Sequence, residues 1–527
     1  MIEIVIDNVN TKFKGIDRKT AKIVQDAISE REPNYFFNPK YKSGQWDGYY
    51  RPYNLVLNTL PTGLLPQAIA KLEELQEEFQ LTDVRNVVNY FDSWYENIEL
   101  VASQKQLRDY QVQSVNDFVN SKCNGVLFQR GVLNLATNAG KTVIAEAIVQ
   151  ELYDKIKGNQ RFLFVTHSKE IAYQAQKSFE VDLGIPVGFI GDGKWNEEKF
   201  TIAMIPTLLS KLKKKHEVFT NLSQNVIGFI GDEIHHSSSN SWIEILNTFK
   251  NAVIRLGLTG TVDTGNPVNK LKLFGVTGGV ITKVSNEYLI DRGFSAKPEC
   301  FMVSIDYPDI DAHVRYAFST NGDDDELSYQ DAYFKGIVSN AYRNFIIATI
   351  CQREYEQGGQ TLVLVERIDH GILIGEMLDA LSPDLSYVFL HGELSSEERQ
   401  FGLQRLTNGE VDVVISTAIL DEGVDVPNIN ALIYARGMKS NRKLLQGIGR
   451  GLRKKSDGSS VHVYDFIDDV QAKLLQHSLQ RYKVLKAENF DIRKMTVEEI
   501  TGVSIEKLDN IISKYDTTFD DTYIYVE

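Results

Sequence analysis

The stretch Gly131-Val132-Leu133-Asn134-Leu135-Ala136-Thr137-Asn138-Ala139-Gly140-Lys141-Thr142 holds the fold in miniature. Its first five residues form an apolar run that reads as a buried strand. Val143-Ile144-Ala145-Glu146-Ala147-Ile148-Val149 follows with helical spacing. A strand, a tight turn and a helix N-terminus make an anion site, because unpaired N–H groups and the helix dipole converge there. Lys141 is placed to reach outer phosphates and Thr142 to hold magnesium, with Thr137, Asn138, Ala139 and Gly140 as the cradle. Two departures from the usual spacing occur: Leu135 stands where a glycine is common, and Asn138 replaces a second one.

Downstream, Val226-Ile227-Gly228-Phe229-Ile230-Gly231 reads as another buried strand and ends in Asp232-Glu233-Ile234-His235. Carboxylates at the C-terminal edge of a strand sit where open α/β sheets bind ligands. Asp232 is expected to hold magnesium through its water shell, and Glu233 to orient or deprotonate an attacking water. His235 and His236 also suit a metal, but no third ligand stands at suitable spacing. Cys123, Cys300 and Cys351 are far apart, so zinc is set aside. Farther on, Gln446-Gly447-Ile448-Gly449-Arg450-Gly451-Leu452-Arg453 sets two arginines three apart behind a glycine. A guanidinium fork matches phosphate oxygens two at a time.

In this order the segments resemble the motifs of superfamily-two helicases and translocases, over residues 104 to 455. Gln111, in Leu107-Arg108-Asp109-Tyr110-Gln111, takes the adenine-reading place. Thr166 and His167 follow the strand Phe162-Leu163-Phe164-Val165 as a strand-gripping motif does, and Thr207 matches a second such motif. Gly257-Leu258-Thr259-Gly260-Thr261 resembles the motif coupling hydrolysis to movement, with Thr259, Thr261 and His235 in coupling places. Val413-Val414-Ile415-Ser416-Thr417, with Glu422, Gly423 and Asp425, resembles the motif touching nucleic acid through Ser416 and Thr417 and ribose through Gly423 and Asp425. The resemblance implies two tandem RecA-like parallel-sheet lobes, residues 101–295 and 296–480. ATP and Mg2+ would bind in the crevice between them, with Gln446, Arg450 and Arg453 acting on the phosphates. Apolar β-branched runs alternating with amphipathic helices agree with an α/β fold whose sheets are covered on both faces.

At 527 residues with ordinary charged and apolar fractions, the chain suggests about three domains. No apolar run approaches a membrane span and the N-terminus lacks a signal-peptide pattern; with three unpaired cysteines, a cytoplasmic setting is expected. A net charge of −14 argues against indiscriminate backbone binding while leaving room for a local basic channel. Ser210-Lys211-Leu212-Lys213-Lys214-Lys215-His216 is the densest basic run; it reads equally as a solvated face. The acidic run Asn321 to Glu326 is expected to be an exposed loop.

Residues 1–100 read as a small α+β domain: a strand at Ile2–Ile6, a helix near Asp17 to Glu30, then Tyr35, Phe36, Phe37, Tyr41, Trp46, Tyr49, Tyr50 and Tyr53 interleaved with Lys40, Lys42 and Arg51. Rings and cations together suit base stacking and phosphate contact. A domain core uses the same rings, and Trp46 is expected there. Asn38 to Gly48 and Leu60-Pro61-Thr62-Gly63-Leu64 are similar to the N-terminal domain of the UvsW type of phage recombination helicase. That resemblance implies a DNA helicase acting on single-stranded and branched DNA: forks, Holliday junctions, displacement loops and RNA–DNA hybrid loops. It also implies recombination or single-strand-binding protein partners and no membrane. A restriction-system motor or an RNA helicase are the alternatives; no nuclease carboxylate–lysine cluster favours the first. Residues 481–527 read as a short helical C-terminal tail, with a helix-like stretch from Val497 to Lys514.

Overall fold

The computed structural model describes residues 1–262, 266–305, 329–417, 429–438, 444, 447–448, 460–469 and 471–512. Its contacts divide the chain into two units, Met1–Val284 and Ser285–Glu527, a step earlier than the 295/296 boundary read from sequence. No described helix is long and apolar enough to cross a membrane.

The first unit opens with a four-stranded sheet of β1 (Ile2–Ile6), β2 (Asn10–Lys14), β3 (Thr59–Pro61) and β4 (Phe79–Asp83), in the order β3-β2-β1-β4. Alternation in β1 sends Ile2, Ile4 and Ile6 inward, as a period of two requires. Helix α1 (Arg18–Ala27) starts at Asp17, whose carboxylate accepts the N–H groups of Lys19 and Thr20; α2 (Leu65–Glu74) follows the third strand.

A larger, eight-stranded sheet comes next: β5 (Arg130–Leu135), β6 (Arg161–Thr166), β7 (Val187–Gly191), β8 (Lys194–Asn196), β9 (Phe200–Met204), β10 (Val226–Gly231), β11 (Ile254–Thr259) and β12 (Val280–Val284). The order is β8-β7-β9-β6-β10-β11-β5-β12, parallel except for the β7–β8 hairpin. Helices α3 (Asp109–Val119), α4 (Lys141–Tyr153), α5 (Lys169–Leu183), α6 (Ile205–Lys213) and α7 (Pro267–Val276) connect the strands.

The small sheet and the large one share one hydrophobic core, in which Ile4, Phe13, Leu64 and Leu72 are continuous with Val132, Phe229, Ile234 and Phe274. Two devices fasten them. Gly63 lies so close to α7 that a Cβ there would fall 1.9 Å from the Phe274 carbonyl oxygen. Arg130, fully buried, donates to the carbonyls of Val276 (2.8 Å), Thr277 (3.1 Å) and Asn8 (3.1 Å), so one guanidinium holds the end of α7 and the β1–β2 connection. The Leu-Pro-Thr-Gly-Leu stretch thus has a packing reason.

The second unit is a seven-stranded, wholly parallel sheet: β13 (Pro298–Ser304), β14 (Gln360–Leu364), β15 (Tyr387–Leu390), β16 (Val413–Ser416), β17 (Ile429–Tyr434), β18 (Val461–Ile467) and β19 (Asp491–Thr496), in the order β15-β16-β14-β17-β18-β13-β19. Both large sheets are RecA-like. The segment read as a helical tail supplies β19, an edge strand on β13. Its pattern of mostly exposed residues hid it, because an edge strand with a solvated face carries little apolar signal. Helix α8 is Ala341–Glu356 and α9 is Ala472–Ala487; the stretch from Val497 breaks at Gly502, left-handed at φ 69°, into α10 (Val497–Thr501) and α11 (Ile505–Ile512). Buried charges in this unit are matched: Arg481 pairs with Asp465 (2.8 Å) and Asp468 (3.4 Å), and Arg343 with Asp468 (3.0 Å).

Two outcomes follow for stability. Gly63→Ala should cost about 1–3 kcal/mol through overpacking, read as a lowered denaturation midpoint; an unchanged midpoint would mean the two sheets are not clamped there. Glu146 of α4 is buried, accepts from Ser178 (2.6 Å), and burial, aided by Asp182, raises its carboxyl to about 7. A carboxyl raised by folding supports stability below its unfolded value and loses that support as pH climbs to about 7. Glu146→Gln should therefore gain on wild type between pH 5 and 8, by on the order of 1–3 kcal/mol. Parallel stability–pH curves for the two proteins would contradict this.

Candidate active site

Register builds the site. Val165 pairs with Gly231, Gly231 with Gly257, and Thr259 with Asn134, so the C-terminal ends of β6, β10, β11 and β5 lie level and adjacent. Residues far apart in sequence therefore meet along one edge.

The loop from β5 to α4 turns through two left-handed residues, Asn138 (φ 71°) and Gly140 (φ 78°). Asparagine is among the few side chains that tolerate this region, which explains how it stands where a glycine is common. The loop is held from below. Ala139 offers its carbonyl to the Gln111 amide (2.9 Å) and the Tyr110 hydroxyl (3.0 Å), while the Gln111 oxygen accepts from the Arg108 N–H (2.9 Å). Gln111, expected to read adenine, is buried and has its amide engaged by backbone; as placed, it supports the loop. Thr137 and Thr142 are half-buried at the two ends of the turn, with Lys141 opening α4.

Glu233 sits in left-handed backbone (φ 45°), a strained conformation for a glutamate, and a short 3₁₀ turn, Ile234–Ser238, follows. Gly231 and Gly257 leave the room that the Ile234 side chain fills; a Cβ on either would lie within 2.6 Å of it. Glu233 then meets Lys141 Nζ at 2.9 Å through Oε1 and His235 Nδ1 at 3.2 Å through Oε2. His235 Nδ1 is also 3.0 Å from the Thr259 hydroxyl, which donates to the Thr261 carbonyl at 3.0 Å. A carboxylate only accepts, and with the Thr259 hydrogen on the Thr261 carbonyl a proton on Nδ1 suits both neighbours.

Burial raises the Asp232 carboxyl above the ordinary carboxylate range, reinforced by its neighbour Glu233 and opposed by Lys141. For Glu233, burial also pushes upward, but the Lys141 ammonium and His235 outweigh it and hold this carboxyl below the ordinary range. The pair is short of positive charge, a deficit that a divalent cation would fill. Among the described residues no group of three His, Cys, Asp or Glu could hold a metal. Magnesium here would depend on Asp232, Thr142 and phosphate oxygens.

The other expected residues are spread more widely. Thr166 is buried at the end of β6, His167 half-buried just beyond it, and Thr207 half-buried in α6. In the second unit Ser416 and Thr417 are buried, Ser416 donating to the Thr417 carbonyl. Gln446, Arg450, Arg453, Glu422, Gly423, Asp425 and the acidic run lie outside the described residues. In the N-terminal region Lys40 and Lys42 are exposed on a short helix, Pro39–Lys42, whereas Arg51 commits its two terminal guanidinium nitrogens to Asp47 and draws that carboxyl down to about 2. Trp46, expected in the core, is only half-buried; its indole donates to the Tyr49 carbonyl (2.9 Å) beside a cleft of about 500 Å³ that Tyr35, Asn38 and Lys40 also line. Tyr53 is the buried ring of this group, and Phe36 and Phe37 are exposed. Sequence reasoning missed the Gln111 support and a contact between His167 and His236, rings 4.1 Å apart; neither leaves a periodic signal.

The Type III restriction enzyme, res subunit, family matches residues 104–264, and the helicase conserved C-terminal domain family matches 342–455. The chain is 24% identical to the ATP-dependent DNA helicase uvsW of Enterobacteria phage T4 over 515 residues, covering 91% of this chain and 96% of that protein. It is 24% identical to the DNA 3'-5' translocase XPB2 of Sulfurisphaera tokodaii, over 73% of this chain and 87% of the relative. Its fold is also that of a putative HsdR subunit fragment of a type I restriction enzyme from Vibrio vulnificus YJ016, with TM-score 0.52, 20% identity and coverage of 74% and 69%. With these two domains in tandem, the chain is an ATP-hydrolysing DNA helicase similar to UvsW.

Lys141→Ala should lower ATP turnover by at least about a hundredfold, the scale of losing one preorganised electrostatic contact, while DNA binding persists. Near-normal turnover would remove the loop from the reaction. Glu233→Gln should bind ATP and DNA yet hydrolyse slowly, because an amide accepts no proton; DNA release measured with ATP present should slow. Wild-type hydrolysis would move the catalytic carboxylate elsewhere.

Proposed function

We propose that this superfamily-two helicase uses ATP and Mg2+ to unwind or remodel branched DNA: forks, Holliday junctions, displacement loops and RNA–DNA hybrid loops, in recombination and replication repair. The observation that carries the reading is the alignment of Lys141, Glu233, His235 and Thr259 on one sheet edge, in a chain similar to uvsW over 91% of its length. Lys141 takes the outer phosphates, Asp232 and Thr142 the metal, and Glu233 the attacking water. Gln446, Arg450 and Arg453 act on charge developing at the γ-phosphate, with Gly423 and Asp425 at the ribose. Thr166, His167, Thr207, Ser416 and Thr417 grip the strand. The cytoplasm, and for a phage-encoded protein the host cytoplasm, is the setting; recombination or single-strand-binding proteins are the partners.

Two features support a DNA-engaging role for residues 1–100. Lys40 and Lys42 are exposed beside the cleft lined by Trp46, and Arg31 lies 3.8 Å over the Tyr35 ring next to exposed Phe36 and Phe37. Cations among exposed rings suit phosphate contact with base stacking. Arg51 is a weaker candidate, since its bond to Asp47 must break first. The core shared with the large sheet makes deletion of this region a poor test, because lobe-facing apolar surface would be laid bare.

Lys40→Ala with Lys42→Ala is the cleaner variant. Fork unwinding should fall more than single-strand-stimulated ATP turnover, and the salt slope of DNA binding should flatten by about one per lost phosphate contact. Full unwinding with an unchanged slope would exclude these lysines. Arg453→Ala should lower turnover at saturating ATP with ATP binding retained, and lysine should not rescue, lacking the planar fork.

A further inference from the structure

The contact between His167 and His236 belongs to a longer column. The His236 ring centroid lies 4.1 Å from that of His167, tilted by 51°, and 4.3 Å from that of His235, tilted by 40°. His235 in turn touches Glu233 and Thr259, as described. Three imidazoles thus run without a gap from the hydrolytic carboxylate to the residue following β6. Backbone geometry fixes both ends: His236 N–H donates to the Glu233 carbonyl (3.0 Å), and Asp232 N–H donates to the Val165 carbonyl (2.9 Å), two residues before His167. His236 is half-buried, and its ring touches both of its histidine neighbours.

We propose that His236 is a positioning residue, carrying strand binding at the His167 loop to the Glu233 carboxylate through ring contact on either side. The inference rests on His167 as a strand contact. When DNA shifts that loop, the His236 ring moves with it and bears on His235, whose Nδ1 lies 3.2 Å from Glu233 Oε2. Hydrolysis then answers to occupancy of the DNA track. The column works by packing, so a ring matters at 236 more than its nitrogens do.

Full-length protein tests this with ATP turnover, with and without a single-stranded oligodeoxynucleotide, beside DNA affinity measured separately. His236→Ala should cut DNA-stimulated kcat by about tenfold, an ordinary size for coupling between sites, with KM for ATP and DNA affinity within about twofold of wild type. His236→Phe, which keeps a ring between the other two, should restore most of the stimulation. In His167→Ala, DNA affinity should fall. At saturating DNA its loss of stimulation should not add to that of His236→Ala, the signature of one shared path. Undiminished stimulation in His236→Ala, a phenylalanine variant as impaired as the alanine one, or additive losses would overturn the coupling while leaving the strand-grip reading intact. Unchanged DNA affinity in His167→Ala would overturn the grip, and the proposal with it.

Discussion

The parallel register that sets Gly231 between Val165 and Gly257, and Thr259 beside Asn134, decides what the first unit can do. Parallel strands end on the same side, so every loop leaving that edge competes for the same small volume. Ile234 packs into the space left by Gly231 and Gly257, which forces Glu233 into left-handed backbone and turns its carboxylate onto Lys141. A slip of one residue along β10 would reverse the faces and separate lysine, carboxylate and histidine. The ion pair is thus a consequence of sheet geometry.

Electrostatics complete the arrangement. Two adjacent buried carboxyls cannot both ionise at low cost, and the structure divides them. Glu233 takes the lysine and the histidine and stays ionised, while Asp232 is left with the burden of burial. The carboxyl most in need of a cation is the one whose motif position calls for magnesium. The chain's net charge of −14 does not conflict with nucleic-acid binding, because a few local cations suffice, and Lys40 and Lys42, the pair proposed for that contact, stand exposed on their short helix.

The strand–turn–helix around Thr137–Gly140 and the Val226–Gly231 strand were legible in the sequence because fully buried parallel strands read as continuous apolar runs. The step between units was harder. The last strand of the first unit, Val280–Val284, is only partly buried, and it pairs with Arg130–Leu135 far upstream, which no local pattern announces. Asp491–Thr496 was missed as a strand for a related reason. The N-terminal rings could not be sorted by composition: Tyr53 is core, Trp46 is half-exposed, and only tertiary packing separates them. Gln111 illustrates a further limit. Its position was found, but the two backbone bonds that occupy its amide depend on where the loop comes to rest.

The central claim is a motor that spends ATP on DNA of particular shape. Its most direct test is steady-state ATP turnover by the intact chain with no nucleic acid, single-stranded DNA, duplex DNA, forked DNA and RNA, at one salt concentration. The account predicts low turnover alone, stimulation by single-stranded DNA, the greatest stimulation by the fork, and little by RNA. Turnover indifferent to DNA, or stimulated by RNA in preference to every DNA, would contradict it.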